Sequence, residues 1–384
     1  MNSNIIFPDY EHSILNLINS ILKHYKVETK YATLPKLDKI LEKEYKNIVL
    51  IILDGMGEHI LKNSSPNGFF DQKHLDIITS VCPSTTAAAL TTYYSGKPPI
   101  ETGWIAMSQY FKEYGRAIEM FSKLDSYTYE EISDAKINVS ELVKYITVHE
   151  QIESASKDVK AYEISPANCM KASKRTINAD NIDSMCDSIK EICNNEDKNF
   201  IFAYNENPDA VLHEYGCNSK EVIQFIKDTE NKIENMCKQL ENTDTLFIIS
   251  ADHGHKDVKN AYSILDLKEI QDCIIMPPSL DARALTFWVK EDKKKQFEEY
   301  FKTKFKDEFL LFTKEEFLNK HILGYGTPHK KIDDFLGNYI AISISDSIIK
   351  LGTKVSKDRY NYKSAHCGFT KEEMEVPVII VDYK

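Results

Sequence analysis

The chain has no Cys-x-x-Cys pair, and its eight cysteines are scattered from Cys82 to Cys367. That scatter excludes a zinc ribbon and offers no disulfide framework. Free thiols in a reducing cytoplasm are the expected state. No apolar run reaches the about 18 residues that a membrane span needs. The start, Met1 to Pro8, lacks the basic opening and apolar centre of a signal peptide. A cytoplasmic location without a membrane partner is therefore expected. Positive charge is also in deficit, with 48 Lys and Arg against 59 Asp and Glu and a net charge of -11. A general nucleic-acid binder needs a basic face, so that class is set aside. A local pocket for a phosphate is still compatible with this balance. Internal repeats and low-complexity stretches are absent too. What remains is a chain of 384 residues, 42% hydrophobic and 28% charged. That composition suits a globular protein of one large or two unequal domains.

Two apolar runs stand out. Ile48 to Leu53 leads into Asp54-Gly-Met-Gly57, and Leu246 to Ala251 leads into Asp252-His-Gly254. Each reads as a buried strand of a parallel sheet that ends in a carboxylate. Ligands of open α/β sheets gather at the carboxyl ends of the strands. Two carboxylates and a histidine delivered there are costly to desolvate unless something binds them. A metal site is the economical explanation.

The surrounding pattern predicts an α/β fold with a doubly wound, mostly parallel sheet. Residues 11–25 space their apolar positions as an amphipathic helix. After the strand 46–54, Gly55 and Gly57 allow a tight turn into a helix near 57–63. A short strand near 75–82 precedes Pro83, and a small-residue helix runs from Thr86 to Ser95-Gly96. Strand 199–204, helix 219–241 and the strand to Asp252 follow, while 100–196 carries no chemical signal. Composition shifts after about 265. Residues 1–265 and 346–384 are expected to form the metal-binding core, with 266–345 as an inserted α+β cap. Arg283, Tyr325 and His329 in the cap are candidates for substrate contacts, although base rates favour structural roles.

Several segments offer metal-type ligands. They are Asp54, Thr86 at a helix start, Asp252 and His253, and His366 in a polar loop before a final strand at 376–381. Asp209 and His213 lie four apart, so a helical turn puts both on one face. Singly, each has an ordinary reading as a cap, a turn residue or a surface pair. Together, three Asp, three His and one Thr suffice for two metals. Ser84 and Thr85 are alternative hydroxyls, and His255 and Asp257 read as supporting or structural residues.

The order and wording of these segments resemble the alkaline phosphatase superfamily, in its type I phosphodiesterase/nucleotide pyrophosphatase branch. The matching pieces are Leu53-Asp-Gly-Met-Gly57, Pro83-Ser-Thr-Thr-Ala-Ala-Ala-Leu90, Asp209-x-x-x-His213, Ala251-Asp-His-Gly254 and Ala365-His-Cys-Gly368. The likeness spans nearly the whole chain. It implies an alkaline phosphatase-like fold and two divalent cations, with Zn²⁺ favoured and Mn²⁺ as the alternative. Asp54, Thr86, Asp252 and His253 would hold one, and Asp209, His213 and His366 the other. Thr86 would be the nucleophile of a phosphodiesterase or nucleotide pyrophosphatase that passes through a phosphoryl-threonine, with a small phosphorylated substrate. Ala89, three residues after Thr86, stands where an asparagine holding a phosphoryl oxygen is expected. That departure leaves a phosphomonoesterase of the same superfamily as the alternative. A non-catalytic phosphate-ligand binder is a further reading, but it would be expected to lose such costly buried charges.

Overall fold

The two apolar runs that end in aspartates are neighbours in one sheet. Asn47–Leu53 pairs in parallel with Thr245–Ser250 on one side and Lys198–Asn205 on the other. Every residue of the first strand is buried, which is why it reads as an unbroken apolar run rather than an alternating one. The computed structural model describes residues 4–132, 139–167, 169, 173–351 and 361–384. Val159–Ser165 and Thr176–Asn178 continue the sheet in parallel beyond 198–205. On the far side, Glu375–Asp382 runs antiparallel between Thr245–Ser250 and His74–Thr79. The seven-stranded sheet is therefore mostly parallel. Helices Ile14–His24 and Thr86–Ser95 bury apolar side chains in its core. The second ends at Gly96 in the left-handed region, φ 69°, the usual helix stop for a residue without a Cβ.

Register decides where the chemistry goes. Leu53 lies opposite Asn205, and Ile52 opposite Ser250. Asp54, the turn to Asp209 and the turn through Asp252 thus leave the sheet at the same edge. Backbone bonds tie them: Asp54 N donates to Asn205 O at 3.0 Å and Asp209 N to Asp54 O at 2.9 Å. The strand expected near 75–82 stops at Thr79, and the residues after it form the loop into the Thr86 helix.

A second, antiparallel sheet packs beside this layer. Its strand order is Phe309–Thr313, Tyr339–Ser343, Ala284–Phe287, Ser279–Asp281, Ser108–Phe111 and Arg116–Glu119. Four of these strands fall in the 266–345 stretch. The other two come from the 100–196 stretch, where composition gave no signal. Leu280 pairs with Ser108, and Ser108 with Glu119. The second layer is thus assembled from two separated stretches rather than a single insertion. Asn260–Ser263 also pairs with Ser347–Lys350 across the expected boundaries.

Candidate active site

Seven residues from five chain segments meet at the carboxyl edge of the main sheet. Asp54 is 2% exposed, and Asp252 and His253 are fully buried. His253 Nε2 lies 3.4 Å from Asp54 Oδ1 and 3.3 Å from Asp252 Oδ2. Those same two oxygens have no hydrogen-bond partner. An orphaned buried carboxylate oxygen costs about 1–3 kcal/mol or more. Thr86, the first residue of its helix, places Oγ1 3.4 Å from both Asp54 Oδ2 and His253 Nε2. The alternative hydroxyls face elsewhere. Ser84 Oγ donates to Gly368 O at 3.1 Å and Thr85 Oγ1 to Asp281 Oδ2 at 3.4 Å.

The second group surrounds Asp209, at the start of the helix Asp209–Tyr215. Its Oδ1 lies 3.4 Å from His213 Nε2 and 3.6 Å from His366 Nε2. The rings of His253 and His366 stack at 3.8 Å, so the two groups share a wall. His213 Nδ1 lies 2.7 Å from Ser364 O, His366 Nδ1 3.0 Å from Ser84 O and His253 Nδ1 3.1 Å from Gly254 O. A carbonyl only accepts, so each Nδ1 carries the proton and each Nε2 turns a lone pair inward. This is the outer-shell arrangement that orients metal-binding imidazoles.

Distances set His255 apart from the other residues of the cluster. Two ligands about 2.0–2.1 Å from one tetrahedral ion stand about 3.3–3.4 Å apart. Asp54, Asp252, His253, Asp209, His213 and His366 all meet near that spacing. His255 does not: its Nε2 is 2.6 Å from Asp209 Oδ1, a hydrogen-bond distance. Its Nδ1 faces Ser364 Oγ at 3.0 Å. Burial pushes His255 down to about 4, so it is a neutral donor that orients the Asp209 carboxylate. Ligand atoms of Asp54, Asp252 and His253 lie within 4.8 Å of one another, as do those of Asp209, His253, His255 and His366. This donor set fits two divalent cations.

The electrostatics agree. Burial raises the Asp54 carboxyl well above the usual range, and the neighbouring Asp252 and Asp209 add to it. Burial likewise raises Asp252. For Asp209 burial also pushes upward, but the imidazoles of His213, His255 and His366 outweigh it, and the net direction is strongly down.

Tyr204, at the end of the neighbouring strand, was not singled out by the sequence. Its hydroxyl donates to Asp54 Oδ2. An aromatic in a strand reads as core, and only its register opposite Ile52 reveals the contact. Tyr204→Phe is expected to weaken retention of a divalent cation and kcat/KM by about 10–100-fold, as loss of a partner that orients a ligating carboxylate does. Zinc titration and steady-state kinetics check this.

A cavity of about 210 Å³ opens at Thr86, Asp209, His213 and His366 and runs on to Met107, Glu119, Tyr129, Asp281 and Tyr362. The residues weighed as substrate contacts do not line it. Arg283 is fully buried in an ion pair with Glu373, and Tyr325 and His329 lie outside the cavity lining. Ala89 is packed in the main hydrophobic core and does not line the cavity.

The family model for type I phosphodiesterase/nucleotide pyrophosphatase matches residues 48–276, more than half of the chain. The chain belongs to the type I phosphodiesterase/nucleotide pyrophosphatase family. It is thereby classed with the hydrolases of phosphoric esters. No curated protein matches it by sequence. The fold is similar to that of murine ectonucleotide pyrophosphatase/phosphodiesterase 5, solved as an inactive threonine-to-alanine form with AMP. That match has a TM-score of 0.66 at 15% identity and covers 89% of this chain and 88% of that one. The human counterpart gives a TM-score of 0.64 at 15% identity, with 87% of each chain covered. Phosphonoacetate hydrolase from Sinorhizobium meliloti, in complex with phosphonoformate, gives 0.59 at 14% identity, covering 86% and 89%. These likenesses establish an alkaline phosphatase-like α/β fold for this family member.

Proposed function

We propose that this family member is a two-cation phosphodiesterase or nucleotide pyrophosphatase that works through a phosphoryl-threonine. The observation that carries the reading is the pair of orphaned oxygens, Asp54 Oδ1 and Asp252 Oδ2, aimed at the His253 lone pair beside Thr86. Asp54, Thr86, Asp252 and His253 would hold one ion, and Asp209, His213 and His366 the other. Zn²⁺ suits this nitrogen and oxygen set, with Mn²⁺ as the alternative. When bound, the ions supply Lewis-acid stabilisation to the attacking and leaving oxygens.

The chain's own residues do the rest. The helix start at Thr86 presents backbone N–H groups to an anionic phosphoryl group. Thr86 Oγ forms a bond to phosphorus as the bond to the alcohol or phosphate leaving group breaks. Water then attacks the same phosphorus, the Oγ–P bond breaks and the threonine hydroxyl is restored. Asp54 and His253 hold Oγ in line, while His255 and Tyr204 fix the carboxylates. The cavity beyond Thr86 gives a second substituent on phosphorus a place, which favours diesters over monoesters. We assign the seven-stranded layer to catalysis and the six-stranded layer, through Glu119, Leu280 and Asp281, to covering the substrate.

Among the described residues no helix is long and apolar enough to cross a membrane. The eight cysteines are free and seven are buried, which supports a reducing compartment such as the cytoplasm.

The deciding experiment is a panel of aryl monoester, aryl diester and dinucleotide substrates with purified protein. Preference for the monoester would overturn the diester reading, and inactivity on all three would overturn hydrolysis. Asp281 adds a pH signature. Burial pushes its carboxyl up to about 6, so it is neutral below that pH and anionic above. KM for an anionic substrate should rise as pH passes about 6, by roughly 1 kcal/mol of repulsion or about fivefold. In Asp281→Asn that rise should vanish, and a KM profile identical to wild type would exclude the assignment.

A further inference from the structure

The loop that carries His366 is held by a buried ion pair from outside the metal cluster. Arg283 and Glu373 are both fully buried. Arg283 Nε donates to Glu373 Oε1 and Nη2 to Oε2, each at 2.7 Å. The same guanidinium donates to Ser345 O at 2.7 Å and Ser347 O at 3.0 Å, anchoring it where the six-stranded sheet ends. Glu373 reaches the other way. Its Oε1 accepts Gly368 N at 2.7 Å, and its Oε2 accepts Thr370 Oγ1 at 2.5 Å. Its backbone carbonyl accepts Gly254 N at 2.8 Å, next to Asp252 and His253.

The loop between has little freedom of its own. Cys367 adopts φ 95°, a conformation that costs a residue with a Cβ about 1–3 kcal/mol and persists only where surroundings impose it. A Cβ on Gly368 would stand 2.8 Å from Glu373 Oε2 and 3.0 Å from Arg283 Nη2. The ion pair is therefore pressed against the backbone two residues after His366. A fork-to-fork Arg–carboxylate pair fixes position as well as charge.

We infer that Arg283 and Glu373 are positioning residues for catalysis: they set the His366 loop against the second layer, and so govern the cation held by Asp209, His213 and His366. This rests on the two-cation reading. Without the pair, the loop after His366 loses its buried tether and only the Ser84 O contact and the stack on His253 described above are left to set the ring, while Asp54, Asp252 and His253 follow directly from their own strand ends.

The test is titration of chelator-stripped protein with Zn²⁺, alongside far-UV circular dichroism. The variants are Arg283→Lys, which keeps a buried charge but loses the fork, and the neutral double variant Arg283→Met with Glu373→Gln. Wild type should take up two ions. Folded variants should bind one of them about 10–100-fold more weakly and the other nearly as wild type. Folded variants with both affinities unchanged, or both weakened alike, overturn the inference. Unfolding of both variants also overturns it, since the pair would then be an element of the fold. A wild-type chain that takes up no zinc instead removes the two-cation reading itself.

Discussion

Thr86→Ala is expected to lower turnover of every active substrate by about 10³-fold or more, because the covalent route is removed. Metal content should fall little, since six other residues of the cluster remain. Thr86→Ser should keep measurable activity, because its hydroxyl can occupy the same place 3.4 Å from Asp54 Oδ2 and His253 Nε2. Ser84→Ala and Thr85→Ala should be far milder, since those hydroxyls bond to Gly368 O and Asp281. Single-turnover kinetics with an aryl diester, plus acid-quench detection of labelled threonine, reads both predictions. Near-native turnover in Thr86→Ala with loss in Thr85→Ala would move the nucleophile by one residue. Native turnover in both would leave direct attack by water.

Removing the two proposed cations should produce the second large effect. Asp54 and Asp252 carry unpartnered oxygens in a buried site, and each is raised by burial. Without cations these carboxylates repel each other and lack solvent. A ligand present at about 1,000 times its Kd stabilises the folded state by about 4 kcal/mol, so two ions together contribute about 8 kcal/mol. Chelation should therefore lower the melting temperature markedly and abolish activity, and added Zn²⁺ should restore both. Identical melting with and without chelator, in protein shown by elemental analysis to have held metal, would refute the coupling.

Legibility in the sequence followed the range of the interaction. The strands ending at Asp54 and Asp252 were readable because strands buried on both faces must be apolar throughout. Helical spacing put Asp209 and His213 on one face, but only their combination with the other segments and the family resemblance distinguished them from a surface pair. Tyr204 was not readable, because its hydroxyl matters only through register with the neighbouring strand. His255 lies two residues from His253, and only the 2.6 Å contact with Asp209 separates bracing from ligation. The second sheet was half legible. Its strands at 108–111 and 116–119 are four residues each, too short for a periodic signal. Arg283 read as a structural residue more readily than as a substrate contact, but its partner, Glu373, lies 90 residues away and could not be named from the sequence.

The strand Glu375–Asp382 lies inside the main sheet, between Thr245–Ser250 and His74–Thr79. Its two neighbours are made long before it during synthesis. Until it docks, both have unpaired edges, and an unpaired apolar edge is a template for joining other chains. The emerging polypeptide thus passes through a stage with an open slot in its central sheet. The strand Glu375–Asp382 fills that slot and brings the preceding His366 loop beside Asp209. Closing of the sheet and closing of the proposed second ligand group are then one event, which follows the synthesis of both flanking strands.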